Sequence, residues 1–214
     1  MNAAPPHPQR WAALSGLAFV VLFGVANALW ALDTPGLGSL PVAEASSAEI
    51  LGFYREASAR IVAGAILSLL AIAVFVMFAS ALRRVLIEAE GGDVLATTAF
   101  GGAILAMAAG LGAETMNMVG AVRAGKATLS KELGQSVFEI SQVLGYNAAG
   151  VGLGLFFLAT ATVTLRTGLV LPRWLGLVTG AVGLSLLTPL SRITLGLGLV
   201  VLLAMAVVLL RRPT

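Results

Sequence analysis

The sequence contains no cysteine and a single histidine, His7, among its 214 residues. Without cysteine, the chain can form no disulfide, thiolate metal site, iron–sulfur cluster or covalent haem attachment. One histidine excludes paired-histidine haem ligation and the two-histidine zinc motif within one chain. His7 lies between prolines in the segment Pro5–Pro8, which is typical of a solvated tail. We therefore expect neither a metal nor a cofactor.

Charged residues are also scarce. They make up 11% of the chain, whereas hydrophobic residues make up 58% and the mean hydropathy is +0.98. A soluble domain carries about 25% charged residues, so this composition excludes a soluble enzyme and a disordered chain. The 13 basic and 10 acidic residues form no cationic cluster that could neutralise a row of phosphates, so we expect no nucleic-acid partner. The composition indicates an integral membrane protein whose partner is the lipid bilayer.

Six uncharged runs are long enough to cross a bilayer, which takes roughly 20 residues. They are Trp11–Leu32, Ile61–Leu82, Val94–Ala113, Ile140–Leu165, Trp174–Ser191 and Ile193–Leu210. Because every backbone amide in lipid needs an internal partner, these runs must be helices. We predict an all-α, polytopic membrane bundle of six transmembrane helices. It forms one domain over residues 11–212, after an N-terminal tail at 1–10, with spans at about 11–32, 61–82, 94–122, 134–165, 174–191 and 193–210.

The first connection, Asp33–Ala59, is the longest and carries a helix signal. Ser46 and Glu49 have the spacing of a capping box, which marks a helix start. The apolar residues that follow have the spacing of one helix face: Ile50, Phe53 and Tyr54. We predict an amphipathic helix over 46–60 on the outer side of the membrane, running into the second span.

The distribution of basic residues gives a weak preference for orientation. With both termini in the cytoplasm, seven basic residues lie inside: Arg10, Arg83, Arg84, Arg166, Arg173, Arg211 and Arg212. Six lie outside: Arg55, Arg60, Arg123, Lys126, Lys131 and Arg192. We therefore predict a multi-pass membrane protein with both termini cytoplasmic.

Two carboxylates fall within the predicted third and fourth spans, Glu114 and Glu139. A charge in hydrocarbon is costly, so such a residue is a candidate for function. Glu114 and Asn117 share a face at i and i+3, and Gln135, Glu139, Gln142 and Tyr146 form one stripe on the fourth helix. We predict a pocket for a ligand or a proton formed by Glu114, Asn117, Glu139, Gln142, Tyr146 and Asn147, with Arg55 or Arg60 as counter-ion. The alternative is that the carboxylates only hydrogen-bond neighbouring helices.

Two Gly-x-x-x-Gly pairs occur, at Gly150 and Gly154 and at Gly176 and Gly180. Glycines at this spacing allow two helices to approach closely. Packing inside the bundle is one interpretation, and a homodimer through these faces is the other.

Several short motifs together suggest a family. They are Tyr54-Arg55 before the second span, Arg83-Arg84 after it, a glutamate in the third span, and Leu171-Pro172-Arg173-Trp174-Leu175-Gly176 at the fifth. In these the chain resembles an uncharacterised family of bacterial six-helix membrane proteins that is common in high-GC actinobacteria. The resemblance implies an inner-membrane protein and assigns no catalytic residues.

Motifs of enzymatic catalysis are missing from the sequence. It has no nucleophile elbow, zinc-protease motif, phosphate-binding loop or dinucleotide fingerprint. We therefore favour a non-enzymatic protein that binds a lipid or small hydrophobic ligand, or supports a membrane partner, through an outer-side polar pocket. The alternative is a small proton- or cation-coupled transporter that uses Glu114 and Glu139. An intramembrane enzyme is a third and less favoured hypothesis.

Overall fold

The computed structural model describes residues 8–31 and 45–211, with the side chains of 10–29 and 45–211. Within these ranges the chain is all-helical and has no strand, in agreement with the predicted fold class. The predictions for His7, for most of the tail and of the first connection, and for Arg212 concern residues outside the described ranges.

The helices are numbered in chain order. They are α1 Pro8–Ala31, α2 Ser47–Glu56, α3 Ser58–Glu90, α4 Val94–Gly125, α5 Lys131–Gln142, α6 Ala149–Thr167, α7 Arg173–Leu186 and α8 Ser191–Arg211. A π-helical segment, Val143–Ala148, joins α5 to α6, so that one helical rod runs through all three. The sequence analysis did not predict this π segment.

Five helices are long and apolar enough to cross a membrane: α1, α3, α4, the α5–α6 rod and α8. The predicted fifth span, 174–191, corresponds to α7, which has 14 residues and ends at Leu186. At this length α7 measures about 21 Å along its axis. It ends early because Pro189, which has no N–H group, lies in the turn that precedes α8.

Aromatic side chains fill the centre of the bundle. The ring of Phe75 on α3 lies 4.7 Å from that of Phe19 on α1 and 5.6 Å from that of Phe156 on α6. Phe78 and Phe157 extend this cluster, and both are fully buried. Tilted and edge-on ring pairs of this kind add stability beyond their apolar area, so this cluster connects α3 to both α1 and α6.

The α4–α6 contact is close enough to bring the two backbones together. A Cβ atom at Gly102 would lie 2.7 Å from the carbonyl oxygen of Gly152 and 2.7 Å from the amide nitrogen of Phe156. A Cβ atom at Gly152 would overlap the amide nitrogen of Ala106. Only glycine fits at this crossing, which therefore fixes the register of α4 against α6.

Six arginines lie at one end of the bundle. Gly16 of α1 contacts Phe78 of α3 and Ala206 of α8, so these three residues lie at the same level of the bundle. An arginine follows five or six positions further toward the same end of each helix. Gly176 of α7 contacts Thr164 of α6, which places these two residues at one level as well. Arg173 precedes Gly176 by three positions, and Arg166 follows Thr164 by two. This arginine end carries Arg10, Arg83, Arg84, Arg166, Arg173 and Arg211.

A second apolar cluster lies at the opposite end, and we call it the cap. It is formed by Ala45, Ile50, Leu51, Phe53, Tyr54, Ala57, Ile61, Ala121, Ala124, Leu129, Val137 and Phe138. Arg192, in the first turn of α8, bonds Gln142, the last residue of α5. The helix α5 therefore extends past the start of α8, and the cap lies beyond the helices α7 and α8.

The helix predicted in the first connection is present as α2, with the predicted capping box between Ser46 and Glu49. Its apolar residues Ile50, Phe53 and Tyr54 are buried in the cap. The apolar face of α2 thus packs against protein rather than against lipid.

The four glycines of the predicted Gly-x-x-x-Gly faces make contacts within the chain. Gly150 and Gly154 of α6 meet the end of α7, and Gly176 and Gly180 of α7 meet α6. These faces are already occupied in a single chain by the antiparallel packing of α6 and α7. The spacing therefore corresponds to internal packing, and a homodimer through the same faces would have to displace it.

Candidate functional site

Glu114 lies on α4 and its side chain is half-buried. Its carboxylate accepts a hydrogen bond from the hydroxyl of Ser68, a buried residue of α3. The other carboxylate oxygen, Oε2, is buried and has no hydrogen-bond partner among the described residues. A buried polar atom without a partner costs free energy, so this oxygen needs an explanation.

Asn117 lies one turn further along α4 and binds the cap. The hydroxyl of Tyr54 on α2 donates a hydrogen bond of 3.1 Å to Oδ1 of Asn117, and Ser141 on α5 is a second partner of the phenol. Both Tyr54 and Asn117 are buried. Burial raises the pKa of Tyr54 well above its ordinary value, because the charged phenolate would be desolvated. This neutral network joins α2, α4 and α5.

Glu139 belongs to α5, in the part of the rod that extends past α8. Nε2 of Gln135 donates a hydrogen bond of 2.9 Å to Oε1 of Glu139. Oε1 of Gln135 in turn accepts a bond of 2.6 Å from the hydroxyl of Ser47, the first residue of α2. Glu139 therefore takes part in attaching α2 to α5, whereas Glu114 bonds to α3.

The remaining residues of the predicted stripe meet α8. Nη2 of Arg192 donates a hydrogen bond of 3.2 Å to Oε1 of Gln142, and its guanidinium carbon lies 4.9 Å from the ring centroid of Tyr146. Such a cation–π contact stabilises the position of a half-buried guanidinium. Asn147, in contrast, is exposed.

Arg192 is a residue that the sequence analysis placed in a connection and did not assign to the pocket. The sequence shows only that Arg192 follows Pro189 and precedes an apolar run, which does not identify Gln142 and Tyr146 as its partners. Of the two predicted counter-ions, Arg55 is exposed at the end of α2 and Arg60 is half-buried near the start of α3. The hydrogen-bond partner of Glu114 that the structure gives is the serine hydroxyl of Ser68.

The π segment packs against α4 directly before Glu114. A Cβ atom at Gly112 would lie 3.0 Å from Cδ1 of Leu144, and a Cβ atom at Gly145 would lie 3.5 Å from Cβ of Ala113. π-helical turns inside α-helices are frequent at functional sites, because the widened turn re-aims neighbouring side chains. We use the name polar layer for Ser68, Glu114, Asn117, Gln142 and Arg192 together with the π segment Val143–Ala148, which contains Tyr146.

No group of three or more Asp, Glu, His or Cys residues that could hold a metal ion occurs in residues 8–31 and 45–211. Comparison of the chain with protein-family models, with curated proteins and with solved structures gave no match. Arguments about function therefore depend on the geometry of the polar layer.

Proposed function

We propose that the protein is a non-enzymatic membrane protein that binds a lipid or small hydrophobic ligand, or supports a membrane partner, through the polar layer. The observation that carries this proposal is the buried Oε2 atom of Glu114, which has no partner in the described chain. A ligand with a hydroxyl or ammonium donor would satisfy that oxygen. Such donors are present in the head groups of common phospholipids.

The position of the polar layer supports the same proposal. It lies at the boundary between the membrane-spanning helices and the cap, at the first turn of α8. Lipid head groups occupy this depth, where a bilayer changes from hydrocarbon to water. The π segment next to Glu114 adds a local departure from regular helix packing.

The test compares lipid that co-purifies with the wild type and with Glu114→Gln, by mass spectrometry after extraction in mild detergent. We expect Glu114→Gln to lose most of a specific lipid, because an amide donor replaces an acceptor oxygen. Glu139→Gln is the matched control, since that carboxylate already accepts a bond from Gln135. Equal lipid content in all three proteins would contradict the proposal.

A second candidate is a small proton- or cation-coupled transporter that uses Glu114 and Glu139. The π segment favours it, because carriers place irregular helices beside their coupling residues. Separate partners for the two carboxylates weigh against a shared site. Proton flux into proteoliposomes tests this candidate: it requires flux in the wild type that both Glu114→Gln and Glu139→Gln abolish.

We further propose that α7 acts as a shortened sixth span, and that both termini are cytoplasmic in a bacterial plasma membrane. The count of basic residues in the sequence, seven on the proposed cytoplasmic side against six on the other, gives this orientation a weak preference, because basic residues concentrate on the cytoplasmic side. Membership of the actinobacterial-type six-helix family is part of the same proposal. Since the chain has no cysteine, single cysteines at Arg84 and Lys126 can be labelled with an impermeant maleimide in whole cells. Labelling at Lys126 alone would support the proposed orientation, and labelling at Arg84 alone would reverse it.

A further inference from the structure

Glu114 lies on the seam where α3 packs against α4. Its carboxylate accepts a hydrogen bond from the hydroxyl of Ser68 on α3. One turn closer to the arginine end, Ile72 of α3 meets Gly110 of α4, and its Cδ1 atom lies 3.6 Å from the position of a Cβ atom at that glycine. These two contacts fix the height of Glu114 between the helices. In the part of the chain that the structure describes, no lysine or arginine pairs with this carboxylate.

The two sides of Glu114 along α4 differ in burial. Asn117, three positions after it, is buried. Leu111, three positions before it, is exposed, and Met118, four positions after it, is half-buried. At 3.6 residues per turn, Leu111 and Met118 flank Glu114 on the side away from Asn117. The half-buried side chain of Glu114 therefore borders the outer surface of the bundle.

The outer surface at this height has the character of a lipid-facing surface. Exposed apolar residues continue on both helices around Glu114: Ile66 and Leu70 on α3, and Leu111, Val119 and Val122 on α4. The last of these lies about 12 Å past Glu114 along the helix axis. Thr115 is exposed as well, and its hydroxyl donates a bond of 2.7 Å to the carbonyl oxygen of Leu111. A hydroxyl that is satisfied within its own helix suits a surface that faces hydrocarbon.

The route from the outer aqueous side to Glu114 is closed by the cap. Tyr54 is fully buried, with its ring against Gly120 and its hydroxyl bonded to Asn117. Both of these α4 residues lie between Glu114 and the end of the helix at Gly125. A ligand from water would have to displace α2, whereas a ligand in the bilayer meets the exposed edge of the seam directly.

The chemistry of the seam restricts the head group of such a ligand. Ser68 already satisfies one carboxylate oxygen with a hydroxyl, and Oε2 has no partner among the described residues. The last torsion of a glutamate is broad, so rotation of the carboxyl group can turn either oxygen to the exposed edge. A ligand hydroxyl would repeat the bond that Ser68 makes. A phosphate would bring an anion beside a carboxylate that no cation pairs with, at a depth where the repulsion is weakly screened.

We infer that Glu114 is the head-group contact of a lateral binding site at the α3–α4 seam, which admits from the bilayer an uncharged amphiphile with a hydroxyl donor, such as a diacylglycerol. The acyl chains of this ligand lie along the exposed apolar surface of the two helices. The inference rests on the function proposed for Glu114, and it narrows the lipids considered there to those without a phosphate.

The entrance is tested with two carbodiimides on the whole protein in phosphatidylcholine nanodiscs, and the modified carboxyl groups are located by mass spectrometry. Dicyclohexylcarbodiimide dissolves in the bilayer, whereas a carbodiimide with a quaternary ammonium group stays in water. We expect the first reagent to modify Glu114 and the second to leave it unmodified. Leu111→Trp should slow the modification, because a larger side chain narrows the entrance. Leu105→Trp is the matched control, since this exposed leucine lies on the opposite side of α4 from Glu114.

The ligand class is tested with a matched pair of lipids. Dioleoylglycerol and dioleoylphosphatidic acid share their acyl chains, and the second carries a phosphate in place of the hydroxyl of the first. Dioleoylglycerol should slow the modification of Glu114 by about 10-fold when it is present at roughly ten times its Kd. Dioleoylphosphatidic acid at the same concentration should give no protection. Equal protection by the two lipids, or protection by neither, would overturn the ligand class.

Modification of Glu114 by the water-soluble reagent, or by neither reagent, would overturn the lateral entrance. An equal effect of Leu111→Trp and Leu105→Trp would do the same. If the entrance fails while Glu114→Gln still loses a co-purified lipid, the proposed function stands and only the route is wrong. Equal lipid content in the wild type and Glu114→Gln, together with modification from the bilayer, would instead contradict the proposed function and leave the entrance in place.

Discussion

The ring of Tyr54 lies against Gly120, so that a Cβ atom at Gly120 would be 2.7 Å from two ring carbons. These residues lie on different helices, α2 and α4, and Tyr54 is fully buried between them. The hydroxyl of the same ring donates to Asn117, one turn away from Gly120. One side chain therefore combines a shape match and a hydrogen bond at the junction of the cap and the bundle.

Gly120→Ala should displace Tyr54 and release α2 from the cap. The added methyl overlaps an aromatic ring in a packed site, so we expect a loss of about 1–3 kcal/mol in unfolding free energy. Hydrogen exchange by mass spectrometry should show faster exchange over 47–56. Gly101→Ala is the control on the same helix, because nothing lies within 4 Å of a Cβ atom at Gly101. Equal protection of α2 in both variants would disprove the role of the glycine.

Tyr54 should resist ionisation for as long as the protein is folded. The chain has two tyrosines, so Tyr146→Phe leaves Tyr54 as the only reporter of tyrosinate absorbance. Because burial raises the pKa of Tyr54, the folded state holds its proton above pH 10, where an unfolded chain would release it. Stability should therefore fall as the pH rises past about 10, and the absorbance change should coincide with unfolding. Ionisation near pH 10 in a protein that remains folded would contradict the burial of Tyr54.

Gly152→Ala should be among the most damaging small substitutions in the membrane core. Its Cβ atom would overlap the backbone of α4 at Ala106, and backbone cannot move aside as a flexible side chain can. We expect a loss at or above the upper end of the usual range of about 1–3 kcal/mol, measured by unfolding in mixed SDS micelles. Gly180→Ala should be tolerated, because its nearest neighbour, the Cβ atom of Ala161, would lie at 3.4 Å. Similar losses in the two variants would show that the α4–α6 crossing is less tight than described.

The long helices of the bundle could be predicted from the sequence, because a run without charge has few other stable structures in a bilayer. The character of α5 was harder to predict. It is amphipathic, with Val137 and Phe138 buried in the cap and Lys131 and Glu132 exposed, yet it continues into an apolar helix without a break in sequence pattern. Glu139, which was expected within the fourth span, lies on α5, in the amphipathic part of the Lys131–Thr167 rod.

The contacts of the polar layer could be predicted only in part. The stripe through Gln142 and Tyr146 follows from helix periodicity, and both residues do meet one partner. That partner, Arg192, could not be identified by local pattern, because the contact depends on where α7 ends and on how α6 packs. The π segment contains no proline, and its contact with α4, where Leu144 packs on Gly112, is a tertiary contact that a local sequence pattern does not reveal.

The capping box at the start of α2 should make the attachment of the cap depend on pH. Oε2 of Glu49 accepts bonds from the backbone amide and the hydroxyl of Ser46, at 2.8 Å and 2.7 Å. These two hydrogen bonds lower the pKa of Glu49 below its ordinary value, the bond from the Ser46 hydroxyl more than the bond from the Ser46 amide. A lowered pKa stabilises the folded state above the unfolded pKa, and that stabilisation is lost as the pH falls through the folded pKa.

Glu49→Gln keeps a capping side chain that is uncharged at every pH. We expect the wild type to melt above Glu49→Gln at about pH 7, and the difference to vanish below about pH 4. Glu56→Gln, at the other end of α2, is the matched control, and a melting difference that stays constant with pH would contradict the role of the Glu49 charge.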